Sequence, residues 1–482
     1  MLNINQNEDT ITAIATAAGQ GAIGIVRISG KNAIEVLERV FLPTGKKNRA
    51  GRLESHRMYY GEIRCGGEVI DEVMVCVMLG PRSYTREDMV EIYAHGGMLV
   101  LGEVLATVVA AGARLADPGE FTKRAFLNGR LNLAQAEAVM DIIGAGSQAA
   151  RKAGLRQLGG GLSQRIENVR DKILMWLAHI ELSIDYPEHD EEARNAAEIL
   201  AEAGAVQADL AALLETAKIG RIMREGIKTA IIGRPNVGKS TLLNAILSED
   251  RAIVHELPGT TRDVLTEQVR VGDLFLVIMD TAGIRETDDP IEKIGMDKTL
   301  QTAEDADLVL LVEDASRELC EEDQEIRLKI HELKIPYITV FNKVDLVDKP
   351  PDKIENLAGV NDYEHLAISA KTGLGLDILF RRINELFCVK PVSLETPGAK
   401  SSTNLANAYH ESDIITRERH RVLIESAIKY VEQAVCELED AVPEDLVSLN
   451  LRAAYMALGE VLGAEIGDDI VDRIFAEFCL GK

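Results

Sequence analysis

The sequence predicts an α+β N-terminal domain, a helical central domain, and an inserted α/β phosphate-loop (P-loop) domain with a mainly parallel sheet. Three observations predict this. Short β-branched runs broken by glycine turns fill residues 1–120; long Ala/Leu/Glu/Arg periodicity follows and returns near the C-terminal end; between the two helical stretches, apolar strand-like runs alternate with helices. A length of 482 residues suits roughly three domains of about 100–200 residues each.

In residues 1–120, AIGIVRISG, YYGEIRCGGEVIDEVMVCVML and DMVEIYAHGG read as strands, the second as a hairpin turning at Gly66-Gly67, with a helix near Met98 to Ala110. From Pro118 to about Gly226 the periodicity is helical, and RHRVLIESAIKYVEQAVCELE and LVSLNLRAAYMALGEVLG resume it. The simplest account is one discontinuous helical domain, residues 121–220 plus 391–482, interrupted by residues 225–388. The interrupting region carries KTAIIG, LFLVIMD, ADLVLLVED, PYITVFNK and HLAIS, strands at the spacing of a doubly wound sheet. Pro391 to Asn407, rich in proline, serine and threonine, reads as a linker or mobile loop.

Composition bounds the function. Hydrophobic residues are 46% and charged residues 27%, while aromatic residues are only 4%, so cores of Leu, Ile, Val and Ala are expected. The net charge of −25 repels a phosphodiester backbone over most of the surface, so nucleic acid must be met through a local patch or a partner. Six separated cysteines without a C-x-x-C pair suggest thiols rather than a zinc cluster or disulfide framework. The N-terminus lacks a basic segment ahead of its apolar residues, and no run of 18 uncharged apolar residues occurs, so a cytoplasmic chain with no membrane contact is expected.

The chemistry begins at Gly233, where G-x-x-x-x-G-K-S follows a strand and opens a helix. Such a loop points its N–H groups at phosphate oxygens, with Lys239 on the β and γ phosphates and the Ser240 hydroxyl on Mg²⁺. Asn236, Val237, Gly238 and Thr241 complete it. Asp280, Thr281, Ala282 and Gly283 end a later strand, where the carboxylate can hold Mg²⁺ through water and the Gly283 amide can sense a γ-phosphate. Asn342, Lys343, Val344 and Asp345 follow another strand, and a carboxylate there can accept the donor pair of guanine that adenine lacks. Ser369, Ala370 and Lys371 close the base pocket. Their order along the chain predicts GTP as the ligand.

This set, GRPNVGKS with GTTRD, DTAG, NKVD and SAK, resembles the translation-factor-related class of GTPases. The residue after DTAG is Ile284, which cannot orient water, so the Ras-type glutamine is missing. In the resembling proteins an asparagine of the P-loop and carbonyls before GTT bind K⁺ where others use an arginine finger, and the GTPase domains dimerise face to face around it. Mapped onto HELPGTTRD, the resemblance implies K⁺ oxygens from Asn236, Thr260 and the carbonyls of His255 and Leu257, with Thr261 on Mg²⁺ and Glu256, Pro258 and Gly259 lining the nucleotide. The resemblance departs at His255, where a small hydroxyl residue is usual. Asn236 capping a turn is the alternative. By position Glu292, in IRETDDPIEKIG, is implied as the catalytic glutamate that holds the attacking water, or else is one more solvated acid. Arg262 and Arg285 would pair with phosphate or brace the switch loops.

With AIGIVRISG, SYTREDMVEIYAHGG, PGEFTKRAFLNGRLNLAQAEAV and a terminal CLGK added, nearly the whole chain resembles the MnmE (TrmE) family of tRNA-modification GTPases. The resemblance implies a homodimer that works in a heterotetramer with the FAD- and NADH-using MnmG protein to place a carboxymethylaminomethyl or aminomethyl group on C5 of the wobble uridine (U34) of certain tRNAs. It implies a one-carbon unit from 5-formyltetrahydrofolate or another tetrahydrofolate derivative, bound by the N-terminal domain through Arg27, Glu87, Arg130 and Lys482. A carboxylate such as Glu87 suits the pterin donor pair, and arginine suits the glutamate tail. Arg130 replaces a lysine found in relatives, with charge retained. Cys479 is either a nucleophile or acid on the folate carbon or uridine C6, or a buried small hydrophobe. A ribosome-assembly GTPase switch without substrate chemistry is the alternative function; such proteins carry a basic RNA-binding module after the GTPase domain, where this chain is acidic and helical.

Overall fold

The computed structural model describes residues 9–44, 53–185, 192–248, 267–272, 274–279, 302–347, 364–387, 413–464, 466–479 and 481. The chain divides into two compact units, one of residues 1–140, 158–200 and 429–482, the other of residues 141–157 and 201–428.

The first unit opens with β1 (Ile11–Ile14), β2 (Ile23–Ser29), α1 (Ala33–Val40), β3 (Phe41–Pro43), β4 (Arg57–Cys65), β5 (Glu68–Met78), β6 (Met89–His95), α2 (Met98–Ala110) and β7 (Arg114–Leu115). The strands form one sheet in the order β3-β4-β5-β6-β2-β1-β7, antiparallel except where β1 meets β7. β4 and β5 are the hairpin read at Gly66-Gly67. The helix at Met98–Ala110 also lies where the sequence puts it, whereas α1, β1, β3 and β7 carry no strong sequence signal.

Ala33, Val36, Leu37 and Val40 of α1 recur at helical spacing and bury with Leu101, Val104 and Val108 of α2 against Val26, Ile28, Val75, Val90 and Ile92 of the sheet. Each buried Val, Leu or Ile here contributes about 1.5–3 kcal/mol, so this layer holds β2 and β6, the interior strands that carry the site.

The chain continues through α3 (Glu120–Leu127), α4 (Leu133–Ile143), α5 (Gln148–Leu158), α6 (Gly161–Asp185), α7 (Glu192–Glu215) and α8 (Ala217–Glu225). The fold of the second unit runs β8 (Ile227–Ile232), α9 (Lys239–Ser248), β9 (Glu267–Val271), β10 (Leu274–Ile278), β11 (Leu308–Asp314), α10 (Glu321–Glu332), β12 (Tyr337–Asn342), β13 (Glu364–Ala367) and α11 (Leu376–Phe387). Its sheet order is β13-β12-β11-β8-β10-β9, parallel throughout except for the β9–β10 pair. Helices cover both faces. Leu242, Leu243 and Ile246 of α9 and Leu379, Phe380 and Ile383 of α11 pack on one side, and Ile326 and Ile330 of α10 on the other.

The last helices are α12 (Glu418–Glu439), α13 (Glu444–Leu462) and α14 (Asp468–Ala476). In the first unit Arg170 of α6 lies 4.1 Å over the ring of Tyr455 on α13, and Glu181 bonds Arg452 at 2.6 Å. Phe475 and Phe478 bury with Leu133 and Ala136 of α4 and so anchor the C-terminal tail. Among the described residues no helix is long and apolar enough to cross a membrane, and Cys65, Cys76, Cys320, Cys436 and Cys479 are free thiols.

Candidate functional sites

The phosphate loop forms because β8 is buried and ends against glycine. Gly233 has φ 153° and Gly238 φ 98°, and a Cβ on Gly238 would overlap the Asn342 side-chain amide, so only glycine lets the loop approach β12 this closely. Helix α9 starts at Lys239 and so sets its N-terminus at the loop, an arrangement that favours a bound anion. The Lys239 ammonium donates to the carbonyls of Gly233 (2.8 Å) and Arg234 (2.7 Å). Arg234 is held outside the loop by Asp323 (3.1 Å), Glu322 (3.2 Å) and the Cys320 thiol of α10.

The residues that the sequence assigns to base recognition are brought to the same strand ends. Asn342 is 2% exposed and makes three side-chain hydrogen bonds: its amide donates to the Val237 carbonyl at 3.0 Å, and its oxygen accepts from the amides of Lys343 (2.8 Å) and Ala370 (2.9 Å). It therefore ties the phosphate loop to both base-pocket segments. The Ser369 hydroxyl donates to Asp345 Oδ1 at 2.6 Å, fixing a carboxylate whose other oxygen remains available. Val344 donates to the Ile368 carbonyl, and Lys371 and Thr241 are exposed at the rim.

Asn236 and Ser240 supply oxygen donors beside the loop, hard ligands that suit K⁺ and Mg²⁺ respectively. The remaining sequence-predicted residues here, His255, Glu256, Leu257, Pro258, Gly259, Thr260, Thr261, Arg262, Asp280, Thr281, Ala282, Gly283, Arg285 and Glu292, lie outside the described residues, as does Lys482 at the other site.

The first unit gathers a second constellation. Glu87 Oε2 accepts from the Ser29 hydroxyl at 2.7 Å, and Ser29 in turn meets Thr85 at 2.6 Å. Arg124, 1% exposed, reaches Glu87 at 3.3 and 3.4 Å and bonds Asp9 Oδ1 (2.7 Å) and Glu120 Oε1 (3.0 Å). Glu87 Oε1 thus carries only a long contact and keeps capacity for N–H donors.

Arg27 and Arg130 stack on Tyr84, 5.7 and 4.7 Å from its centroid. Arg130 also donates to the Tyr84 carbonyl at 2.7 Å. Arg27 is bidentate to Glu91 Oε1 at 2.7 and 3.1 Å and donates to the Gly481 carbonyl at 3.2 Å, which leaves it two unused N–H donors. Burial, then the hydrogen bond to Glu91, push the Tyr93 hydroxyl up to about 12.

The C-terminal tail closes this site. Gly481 (φ 81°) is buried against β1, where a Cβ would overlap the Ile14 carbonyl, and the Cys479 carbonyl accepts from Gly119 at 3.3 Å. Cys479 is half-buried two residues from the contact with Arg27. Tyr84, Glu91 and Arg124 were not singled out by sequence; they lie inside the quoted SYTREDMVEIYAHGG and PGEFTKRAFLNGRLNLAQAEAV stretches, but nothing local marks them as site residues.

Two family models match the chain: "GTP-binding protein TrmE N-terminus" over residues 10–130 and "MnmE helical domain" over residues 133–479. Curated relatives called tRNA modification GTPase MnmE match over nearly their whole length. The protein of Acetivibrio thermocellus is 43% identical over 98% of this chain and 99% of its own. That of Lactococcus lactis subsp. lactis is 43% identical over 100% of both chains, and that of Streptococcus mutans 44% over 99% and 100%.

Proposed function

The chain belongs to the MnmE family of tRNA modification GTPases, and on that premise we propose that it acts on C5 of the wobble uridine (U34) of certain tRNAs using a tetrahydrofolate-derived one-carbon unit. The observation that carries the GTP half of this reading is the bridge from Asn342 to Val237, which fixes the base pocket at one set distance from the phosphate cradle. GTP lies with its phosphates on the loop amides and Lys239, and with guanine on Asp345. Mg²⁺ held by Ser240 and Thr261, with Asp280 behind water, and K⁺ held by Asn236, Thr260 and the carbonyls of His255 and Leu257 would neutralise charge at the β–γ bridge. Glu292 orients the attacking water. Two G domains, residues 225–388 of each copy, close on one another around that cation.

The folate half rests on the chemistry of the second constellation. Glu87 offers the remaining acceptor capacity of Oε1 to the pterin donor pair, while Arg27, Arg130 and Lys482 provide cationic groups for the glutamate tail. The bound folate would supply the one-carbon unit. Tyr84 gives an aromatic ring that both guanidinium groups approach, and Cys479 lies beside the site as a nucleophile, as an acid or as packing. The protein works as a cytoplasmic homodimer with the FAD- and NADH-using MnmG protein. The acidic balance leaves much of the tRNA contact to that partner.

Two measurements test these halves separately. Purified protein should bind 5-formyltetrahydrofolate in equilibrium dialysis, and Glu87→Gln should weaken binding by about tenfold or more, because an amide can accept only one of the two donors. No binding by the wild-type protein would return the reading to a GTPase switch without substrate chemistry. GTP turnover should fall at least about tenfold when Na⁺ replaces K⁺ at equal ionic strength, since the cation replaces an arginine finger. Indifference to the swap would remove Asn236 from a metal role.

A further inference from the structure

Two residues of the nucleotide site hold left-handed backbone without being glycine: Asn236 (φ 62°) in the phosphate loop and Lys343 (φ 67°) after β12. Such conformations cost on the order of 1–3 kcal/mol each and persist only where surrounding contacts over-determine them. The contact that joins them is one ammonium. Lys343 Nζ donates to the Asn236 carbonyl at 2.7 Å and to Asp314 Oδ2 at 2.7 Å.

Asp314 is the last residue of β11, in register with Asn342 on β12, and its side chain is 8% exposed. It is held from its own side by the Ser316 amide (3.0 Å) and hydroxyl (2.6 Å), both on Oδ1, and the Ala315 amide donates to the Asn342 carbonyl at 2.8 Å. Burial acts to raise its carboxyl, but the hydrogen bonds from Lys343 and Ser316 outweigh it and hold the group below the usual carboxylate range. Arg317, mostly exposed, stands 3.8 Å away and adds little.

We propose that Asp314 is a positioning residue for guanine nucleotides: it pins the Lys343 ammonium onto the Asn236 carbonyl, so that the Lys343 stem forms a fixed platform for the base and the phosphate loop keeps its strained turn. A lysine tethered only to a carbonyl would sample several rotamers of its long stem. With its ammonium held by both a buried carboxylate and a loop carbonyl, it has one. The base pocket and the phosphate loop are thereby coupled through Lys343 as well as through Asn342, and the side chain of Asn236 is presented in one direction. This last consequence rests on the K⁺ reading above; the first does not.

The test is a double-mutant cycle read by the affinity of a fluorescent GDP analogue for the full chain. Asp314→Asn should weaken binding about tenfold, the scale of one hydrogen bond to a charged group. Lys343→Met should weaken it at least as much, and the double variant should bind no more weakly than Lys343→Met, because Asp314 acts only through that lysine. Additive losses, or wild-type affinity in Asp314→Asn, would overturn the proposal.

If Asp314→Asn does not fold, the exposed Ser316→Ala replaces it in the cycle; a two- to threefold loss that vanishes in the Lys343→Met background is expected, with no loss, or a loss that persists there, counting against the proposal. The K⁺ concentration for half-maximal turnover should rise in Asp314→Asn. A wild-type protein that ignores K⁺ would sink the cation reading while leaving the affinity cycle to decide the role of Asp314.

Discussion

Asp345→Asn is expected to exchange guanine preference for xanthine preference. The Ser369 hydroxyl occupies Oδ1 at 2.6 Å and fixes the plane of the carboxylate, so the remaining lone pairs meet the base edge in one orientation. Guanine presents two donors there, N1–H and the exocyclic amine. A carboxylate accepts both, whereas an asparagine amide offers one acceptor and one donor group, which matches the N1–H and C2 carbonyl of xanthine. Each charge-assisted bond is worth about 1.5–3 kcal/mol, so losing one, weakening the other and setting donor against donor should weaken GTP by roughly a hundred- to ten-thousandfold. Competition of GTP and XTP against a fluorescent GDP analogue measures it. A variant that still prefers GTP would detach Asp345 from the base.

Asp345 stands out in the chain because the pattern that marks it is local. A short loop at the end of a buried strand sets both the backbone direction and the donor pattern, and β8, β11 and β12 declare themselves as apolar runs because a central parallel strand is covered on both faces. β9 escaped the same reading for the opposite reason. EQVRV is an antiparallel edge strand with only Val269 and Val271 in the core, so it alternates with charge and resembles a loop. α1 was missed too, its apolar spacing lying beneath a short acidic and basic surface.

The pairings that organise the N-terminal constellation are invisible to any local pattern. Arg27 meets Glu91 at a separation of 64 residues and Gly481 at 454, and Arg124 meets Asp9 at 115. Sequence can name the charged residues, but the fold alone decides which of many carboxylates each arginine finds. The likeness to a family supplied Arg27, Glu87 and Arg130. It did not supply Glu91, which takes three of the five donors' worth of geometry away from Arg27 together with Gly481, nor Arg124, which stands behind Glu87.

Arg124→Met should be the most destabilising single change in the N-terminal unit. The side chain is 1% exposed and faces Asp9, Glu87 and Glu120, with Arg114 as the second cation bonding Glu120 at 2.6 and 2.8 Å and also pairing with Asp9. Removing one partner from a buried charged cluster costs about 3–5 kcal/mol, because Glu87 and Glu120 stay mostly buried and lose a compensating charge.

The pH dependence separates charge from packing. In the wild-type protein burial acts to raise the Asp9 and Glu120 carboxyls, but hydrogen bonds from the two arginines outweigh it and hold both below their ordinary values of 3.8 and 4.5. Groups with depressed values contribute stability that is present above those ordinary values and lost as pH falls through the folded ones. In Arg124→Met the carboxylates are under-compensated, so they bind protons at higher pH and the penalty relaxes once they are neutral. The stability gap between the two proteins should therefore be full at pH 7 and narrow as pH falls below about 4. The single tryptophan, Trp176, is 2% exposed in the same unit and reports its unfolding in urea. A gap that stays constant from pH 7 down to about 3 would mean that Arg124 matters for its volume, not for its charge.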